Sequence, residues 1–322
     1  MNHFWDRVIA PVVEALRPST ILQIGAKDDR TVPKLIEVAN RIGAVIHVAA
    51  LNPSFDLEAA RHDAGDRLIV HRARGLDVVP LLAAPDLILI DDDPNWYTVH
   101  SLLTAIDRQV RRSGRPFPTI VLTQTGWPYA RRDSYDEPSA IPAAFRQIFE
   151  QAGIMPDTVS LSAQNGLFSD RFNAATENED QNGVLTALEN FVADRPGRFV
   201  ITLLPMFHGL ALLHPTRGRE DRTLQPVLSS LALGRSATAL VSDLEAARVR
   251  LEIERKALHE ALSRATYRND ALHRALRSEQ QGEPTTIALE GPSAATLARA
   301  LLRRVRRAAA ARLRNLAATN AS

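Results

Sequence analysis

Apolar and polar positions alternate in blocks along the first two thirds of the chain. Short apolar runs, as long as a buried strand, recur between stretches whose apolar residues fall every three or four positions, as in an amphipathic helix. The runs predict strands at 20–24, 45–50, 68–71, 86–91 and 119–122. The clearest predicted helices span 4–16, 32–42 and 96–112. Strands that alternate with helices in this way form a mainly parallel, doubly wound α/β sheet.

The pattern changes in the second half of the chain. A polar, proline-bearing stretch at 127–142 is too long for a simple connection, and helical patterns follow at 141–152 and 183–193. Two apolar runs, 199–204 and 210–214, are then joined by a few residues only. Because so short a connection permits only an antiparallel pair, we expect the sheet to end in a late antiparallel hairpin.

Acidic residues mark the end of the fourth predicted strand. The apolar run 87–90 is followed directly by Asp91, Asp92 and Asp93, and a helical stretch opens at residue 96. In a doubly wound sheet the carboxyl ends of the strands line the crevice in which ligands bind, so we expect function at this edge. The alternative is that the acids only cap the next helix. Two acids without further ligands are a weak signal for a bound cation, and we predict no metal.

Five segments resemble a bacterial branch of S-adenosylmethionine-dependent class I methyltransferases that often accompanies glycan or polysaccharide biosynthesis. They are ILQIGA at 21–26, DLILIDDDPNWYTV at 86–99, GWPYARRD at 126–133, NGVLTAL at 182–188 and PMFHGLALL at 205–213. The resemblance covers about residues 18–215. It implies a Rossmann-like methyltransferase domain, which we place at residues 1–225, with S-adenosylmethionine as cofactor.

The resemblance also implies roles for individual residues in cofactor binding and catalysis. Gly25, Ala26 and Asp91 would bind the cofactor, and Asp91 and Asp93 would lie near the reaction centre. The chain departs from the family where Lys27 to Arg30 replaces a glycine-bearing turn, where no acid ends the second strand, and where two histidines are missing. Two interpretations stay open: an O-methyltransferase acting on a sugar or glycan, and a catalytically degenerate relative that binds or scaffolds.

The candidate substrate residues lie in the GWPYARRD segment and the hairpin. The rings of Trp127 and Tyr129 suit a sugar, and the guanidinium groups of Arg131 and Arg132 suit an anionic group. His208, in the hairpin that faces this end of the sheet, is the fifth substrate residue. The alternative for the two arginines is a set of salt bridges that only order the loop, with three acids as partners: Asp133, Asp136 and Glu137.

Beyond residue 226 the apolar spacing becomes sevenfold. The repeat predicts a helical, coiled-coil segment at 226–282, and its members are Leu244, Leu251, Leu258, Ala265 and Leu272. Charged residues interrupt the companion row. We predict a homo-oligomer or a partner helix bound through 240–276, and the alternative is a helix packed back on the sheet domain.

A linker at 283–292 precedes a tail at 293–322 that carries seven arginines and no acid, with apolar residues at helical spacing. Such a basic amphipathic helix suits peripheral contact with an anionic membrane or an acidic partner, and the alternative is a solvated tail. The chain has 36 arginines but only three lysines. We attribute that imbalance to codon usage and predict no nucleic-acid binding, because the tail lacks aromatic residues to stack on bases.

Composition and apolar run length limit the possible chemistry and cellular location of the protein. The chain has no cysteine, which excludes disulfides, thiolate nucleophiles and cysteine-bound metals. The start of the sequence lacks the pattern of a signal peptide, and no apolar stretch is long enough to span a bilayer. We therefore expect a cytoplasmic protein.

Overall fold

The computed structural model describes residues 1–26, 30–163, 166–216 and 219–280. It also describes the side chains of these residues, except those of 219–221 and 274–280. The chain divides into two compact units, Met1–Ala257 and Leu258–Ser322. The predicted linker 283–292 and basic tail 293–322 lie outside the described residues. The same is true of residues 27–29 in the predicted cofactor turn.

The described residues contain ten strands in two sheets. They are β1 (Thr20–Ile24), β2 (Val45–Ala49), β3 (Leu68–His71), β4 (Leu87–Ile90), β5 (Thr119–Thr123), β6 (Ser134–Tyr135), β7 (Phe149–Gln151), β8 (Phe172–Ala174), β9 (Phe199–Leu204) and β10 (Leu210–Pro215). The large sheet has the order β3-β2-β1-β4-β5-β10-β9. Its first five strands are parallel, and β10 is antiparallel to both neighbours. This is the class I methyltransferase layout that the resemblance implied, and the predicted late hairpin is confirmed.

Eight α-helices lie in the described residues. They are α1 (Ala10–Leu16), α2 (Thr31–Ile42), α3 (Leu57–Ala64), α4 (Gly75–Val78), α5 (Trp96–Ser113), α6 (Val184–Ala193), α7 (Arg219–Leu231) and α8 (Arg235–Gln280). Local chemistry explains the ends of α5: the Asn95 side chain accepts a hydrogen bond from the Thr98 N–H, and Gly114 ends the helix with a φ of +65°. Before α1, a 3₁₀ turn at Asn2–Phe4 and a π-helical turn at Trp5–Ile9 complete the predicted N-terminal helix.

The core has two layers, one on each face of the large sheet. Alternate residues of β4 point to opposite faces, with Leu87 and Leu89 in one layer and Ile88 and Ile90 in the other. The first layer includes apolar side chains of α1, α2 and α7, and the second includes those of α5 and α6. The fully buried β4 therefore carries its carboxyl end to the middle of the sheet edge, where the acids follow.

Two parts of the structure differ from the sequence prediction. The helix predicted at 141–152 is wrong, because this stretch holds a 3₁₀ turn at Ala143–Phe145 and then β7, which pairs with β8 in the small sheet β6-β8-β7. Helix α7 begins before the helical segment predicted at 226–282, and it contains Pro226. The start of α8 belongs to the first unit, which ends at Ala257, and the predicted domain boundary at 225 stays a prediction.

Helix α8 buries one face and exposes another. Glu245 and Val249 are buried, whereas Leu244, Leu251 and Leu258 are 69, 64 and 71% exposed. The heptad leucines of the described residues are thus on the surface of the single chain, and association through them stays a prediction. Among the described residues, no helix is both long and apolar enough to cross a membrane.

Candidate active site

A cavity of about 220 Å³ lies at the carboxyl edge of the large sheet. Its floor is formed by residues that follow β4 and β5, and its walls come from the N-terminal turns, the segment before β8 and the turn between β9 and β10. The parallel strands β4 and β5 lie side by side, so the segments that follow them meet at one edge. The predicted edge of the sheet is therefore the edge that carries a cavity.

Unusual backbone conformations concentrate at this cavity. Six non-glycine residues among those described have a positive φ, and three of them line it: Gln124, Phe207 and His208. A fourth, Phe168, packs its ring edge-on against the His208 ring at a centroid distance of 5.5 Å. A left-handed conformation costs about 1–2 kcal/mol for a residue with a Cβ, and such strain collects at functional sites. The backbone conformation therefore supports the choice of this cavity as the candidate site.

Asp91 and Asp93, the two predicted catalytic acids, are separated by the structure. The Asp91 carboxylate lines the cavity, where Oδ1 accepts the Thr123 hydroxyl at 2.6 Å and Oδ2 lies 3.6 Å from the Met1 amine. Asp93 instead accepts the Asp136 N–H at 2.9 Å and the Asn95 amide at 3.0 Å. Asp91 is therefore in position to meet a ligand in this cavity, whereas Asp93 connects the start of α5 to a loop.

His208 is the one predicted substrate residue that lines the cavity. Its Nδ1 lies 3.0 Å from the carbonyl oxygen of Trp127, and its Nε2 lies 3.2 Å from Nη2 of Arg248. The neighbours assign the proton to Nδ1, which donates to the carbonyl, so that Nε2 accepts from Arg248. Burial lowers the pKa of His208; the Trp127 carbonyl opposes this and the Arg248 cation adds to it, with a net decrease. His208 is thus neutral at pH 7.

Helix α8 holds two walls of the cavity. Glu245 accepts the backbone N–H of His208 at 2.9 Å. Lys256 donates to the Gly166 carbonyl and the Ser169 hydroxyl, both at 3.0 Å, in the segment that leads to β8. Burial raises the pKa of Glu245, but hydrogen bonds from Arg248 and from backbone N–H groups lower it below its ordinary value. The start of the segment predicted for association thus contacts the sheet domain, as in the alternative of a helix packed back on it, and shapes the site.

The aromatic residues of the GWPYARRD segment are mostly internal. Tyr129 is fully buried and donates its hydroxyl to Oδ1 of Asn173 at 3.1 Å. Burial raises the pKa of Tyr129 to about 12, so its hydroxyl keeps its proton at neutral pH. Trp127 is partly buried among apolar residues, and its carbonyl faces His208. A stacking role toward a sugar is not visible for either ring in this arrangement.

The two arginines of this segment have protein partners, but these are not the acids that the sequence suggested. Arg131 pairs with both oxygens of Glu189, at 2.5 and 2.9 Å. Arg132 is 0% exposed; it donates to two backbone carbonyls and lies 3.2 Å from Glu177. Neither lines the cavity at the sheet edge. These contacts favour the alternative in which the arginines order the loop, but the predicted partners Asp133, Asp136 and Glu137 are wrong.

Asp133 joins three of the segments that carry the family resemblance. Its Oδ1 accepts the N–H groups of Trp96 and Gly183, both at 2.7 Å, and its Oδ2 accepts the Tyr135 hydroxyl at 3.0 Å. At Gly183 the φ is +94°, and a Cβ would lie 2.4 Å from the Ala130 carbonyl oxygen. Only glycine fits there, so the paired motifs GWPYARRD and NGV form a buried brace between the starts of α5 and α6.

The predicted cofactor residues lie next to the cavity. Gly25 has a φ of +76°, and a Cβ there would lie 2.1 Å from the Asp91 carbonyl oxygen, so glycine allows the turn after β1 to touch the end of β4. The Ala26 carbonyl accepts both the N–H and the hydroxyl of Ser54, at 3.1 and 2.5 Å. At the end of β2, Ala49 and Ala50 are buried and offer no carboxylate.

Gln124 and Arg171 are two of the cavity residues that sequence reasoning missed. Gln124 follows β5, and its buried Oε1 has no hydrogen-bond partner among the described residues. Arg171 enters from the segment before β8, with its guanidinium carbon 5.8 Å from the Tyr129 ring centroid and 5.7 Å from that of Phe168. No local pattern distinguishes Arg171 from other arginines, because the small sheet brings it to the cavity.

No protein-family model matches the chain, and no curated protein matches it. Among solved structures it is similar to the SAH-bound methyltransferase PaMTH1 of Podospora anserina, with 17% identity, 64% of this chain and 76% of that chain covered, and a TM-score of 0.38. It is also similar to a 1,6-didemethyltoxoflavin-N1-methyltransferase of Burkholderia thailandensis, with 13% identity, 67% of this chain and 82% of that chain covered, and a TM-score of 0.35. A putative O-methyltransferase of Nostoc punctiforme has 17% identity, with 64% of this chain and 53% of that chain covered, and a TM-score of 0.37. These overlaps are weak, and the fold is assigned from the strand order itself.

Proposed function

We propose that this chain is an S-adenosylmethionine-dependent methyltransferase that methylates a hydroxyl group of a small, ring-bearing acceptor such as a sugar. The observation that carries the proposal is the cavity at the carboxyl edge of β4 and β5, with Asp91 in its floor and the Gly25 turn beside it. The order of the seven strands supports the same fold family. Doubly wound sheets bind ligands at this edge, and the strand order reverses between β1 and β4, next to Gly25 and Asp91.

The described residues fit the cofactor in part. Gly25 and Asp91 are adjacent, as the resemblance requires, and when bound the cofactor supplies an electrophilic methyl group. The end of β2 offers no acid for the ribose hydroxyls, and Ser54 occupies the Ala26 carbonyl. A carboxylate holds two ribose hydroxyls well, so its absence predicts weakened binding.

Within the cavity, the acceptors of hydrogen bonds are well placed for a hydroxyl group. Asp91 is oriented by the Thr123 hydroxyl, and the buried Oε1 of Gln124 is a second acceptor. His208 is less suited to remove a proton, since its Nε2 lone pair faces Arg248. We therefore assign to Asp91 the role of receiving the proton of the acceptor hydroxyl, and to His208 the role of a wall.

A binding or scaffolding protein without transfer activity is the second candidate. The observation that favours it is the contact of Ser54 with Ala26, because this contact uses a carbonyl of the predicted cofactor turn. The buried Phe55 follows directly and packs in the same apolar layer as Ala26 and Ala50. Such a protein would keep the acceptor cavity and lose the cofactor site.

Calorimetric titration of the full chain with S-adenosylmethionine and S-adenosylhomocysteine separates the two candidates. A dissociation constant near 1 μM, about −8 kcal/mol, supports the enzyme, whereas 1 mM or weaker, about −4 kcal/mol, supports the binding protein. D91N is expected to abolish transfer to a hydroxyl acceptor. The matched control is D66N, at an exposed aspartate far along the chain from the cavity residues, which is expected to behave as the parent.

A further inference from the structure

Arg171 is a cation of the cavity that the proposed reaction does not use. Its guanidinium group lies against the rings of Tyr129 and Phe168, and it forms no ion pair within 4.0 Å among the residues that the structure describes. Arg131 and Arg132, in contrast, are engaged by Glu189 and Glu177. Of these three arginines, only Arg171 therefore lines the cavity.

The position of Arg171 is fixed by its surroundings. Lys256 holds Gly166 and Ser169, a few residues earlier, and β8 begins directly after Arg171. The Arg171 carbonyl and N–H take part in local hydrogen bonds, the N–H with the Phe168 carbonyl at 3.1 Å. A planar guanidinium that is held against two rings offers its remaining N–H groups, beside the one directed at the Tyr129 hydroxyl, to a planar or tetrahedral anion, and little ordering is needed when the anion binds.

Aromatic residues form part of the remaining lining of the cavity, together with a second acid, Asp92. Phe207 is 37% exposed, although its ring stacks on His3 at 4.4 Å and meets Phe4 edge-on at 5.9 Å. A partly exposed phenylalanine ring that is held in a cavity wall offers an apolar face to a ring of a ligand. The same cavity is lined by Asp91, whose carboxylate attracts hydrogen-bond donors.

We propose that Arg171 binds a carboxylate or phosphate group of the acceptor, while a ring of the acceptor packs on Phe207 and a hydroxyl points to Asp91. We call this ligand an acceptor on the basis of the proposed function, but the ligand can bind without the cofactor. The charges that line the cavity give the ligand an orientation, because Asp91 and Asp92 repel an anion and Arg171 attracts it. The cavity therefore selects an anionic, ring-bearing hydroxyl compound.

Calorimetry on the full chain without cofactor tests this site with two matched pairs of probes. Benzoate against benzamide reports on a carboxylate, and glucose 6-phosphate against glucose reports on a phosphate. The anionic member of at least one pair is expected to bind more tightly. R171Q should weaken that binding about 10- to 100-fold, as expected for loss of a charge-assisted hydrogen bond, and leave the neutral probe unchanged. R112Q, at an exposed arginine of α5, is the matched control.

R171K provides the second variant, since it keeps the charge and loses the planar fork. R171K should fold and bind the anion more weakly than the parent does. If R171Q does not fold, the comparison of R171K with the parent tests whether Arg171 binds the anion. Equal binding of anionic and neutral probes, failure of both anions to bind, or an equal effect of R112Q would overturn the proposal. Binding of an anion through Arg171 without any binding of S-adenosylmethionine would refute the methyltransferase and leave this site standing.

Discussion

Substitution D133N tests how burial and hydrogen bonding compete at the brace that joins α5 and α6. Burial raises the pKa of Asp133 to about 6, from an ordinary 3.8, although hydrogen bonds from Gly183, Trp96 and Tyr135 act in the opposite direction. Between these two pKa values the folded chain binds more protons than the unfolded chain. The contribution of Asp133 to the free energy of unfolding is therefore complete below pH 3.8 and is lost as the pH rises through about 6.

The size of the effect follows from the two pKa values. Between pH 5 and pH 7 the parent is expected to lose about 1.3 kcal/mol of unfolding free energy through Asp133, since one pKa unit corresponds to about 1.36 kcal/mol. In D133N the side chain at position 133 does not titrate, so the variant does not lose this unfolding free energy between pH 5 and pH 7. The difference in stability between parent and D133N should thus change by about 1.3 kcal/mol over this range, with the parent relatively more stable at pH 5.

Urea unfolding of both proteins at pH 5, 6 and 7 measures this difference, and other titrating groups cancel because they are shared. A difference that does not vary with pH would show that the three donors offset burial completely. A change of the opposite sign would show that they hold the pKa of Asp133 below its ordinary value. Either result would refute the reasoning about burial.

Two further predictions concern α8. R248Q is expected to raise the pKa of His208 toward its ordinary 6.5, because the neighbouring cation lowers it, and NMR titration of the ring protons measures this pKa. R255Q, at an exposed arginine of the same helix, should leave the pKa of His208 unchanged. An unchanged pKa in R248Q would contradict the contact. We also propose that the exposed leucines bind a second copy of the chain. Sedimentation should show an oligomer that L251E and L258E reduce to monomers, since they place charge in the apolar row; a monomeric parent would rule out the interface.

Much of the sheet domain is determined by local sequence. The apolar run 87–90 needs burial on both faces, and the acids after it must then emerge at the sheet edge. Asn95 and Gly114 supply the two caps of α5. The short connection between the last two strands of the large sheet leaves them no choice but an antiparallel pair. Periodicity, caps and loop length act between near neighbours, so the sequence by itself reveals them.

The composition of the site was decided only by tertiary structure. The sequence pointed to Arg131 and Arg132 as the cations, but the fold buries Arg132 and brings in Arg171 through the pairing of β8 with β6 and β7. Helix α8 reaches the cavity from far along the chain to fix His208. Identical side chains differ in role according to which partners the distant chain places beside them, and those pairings leave no periodic trace in the sequence.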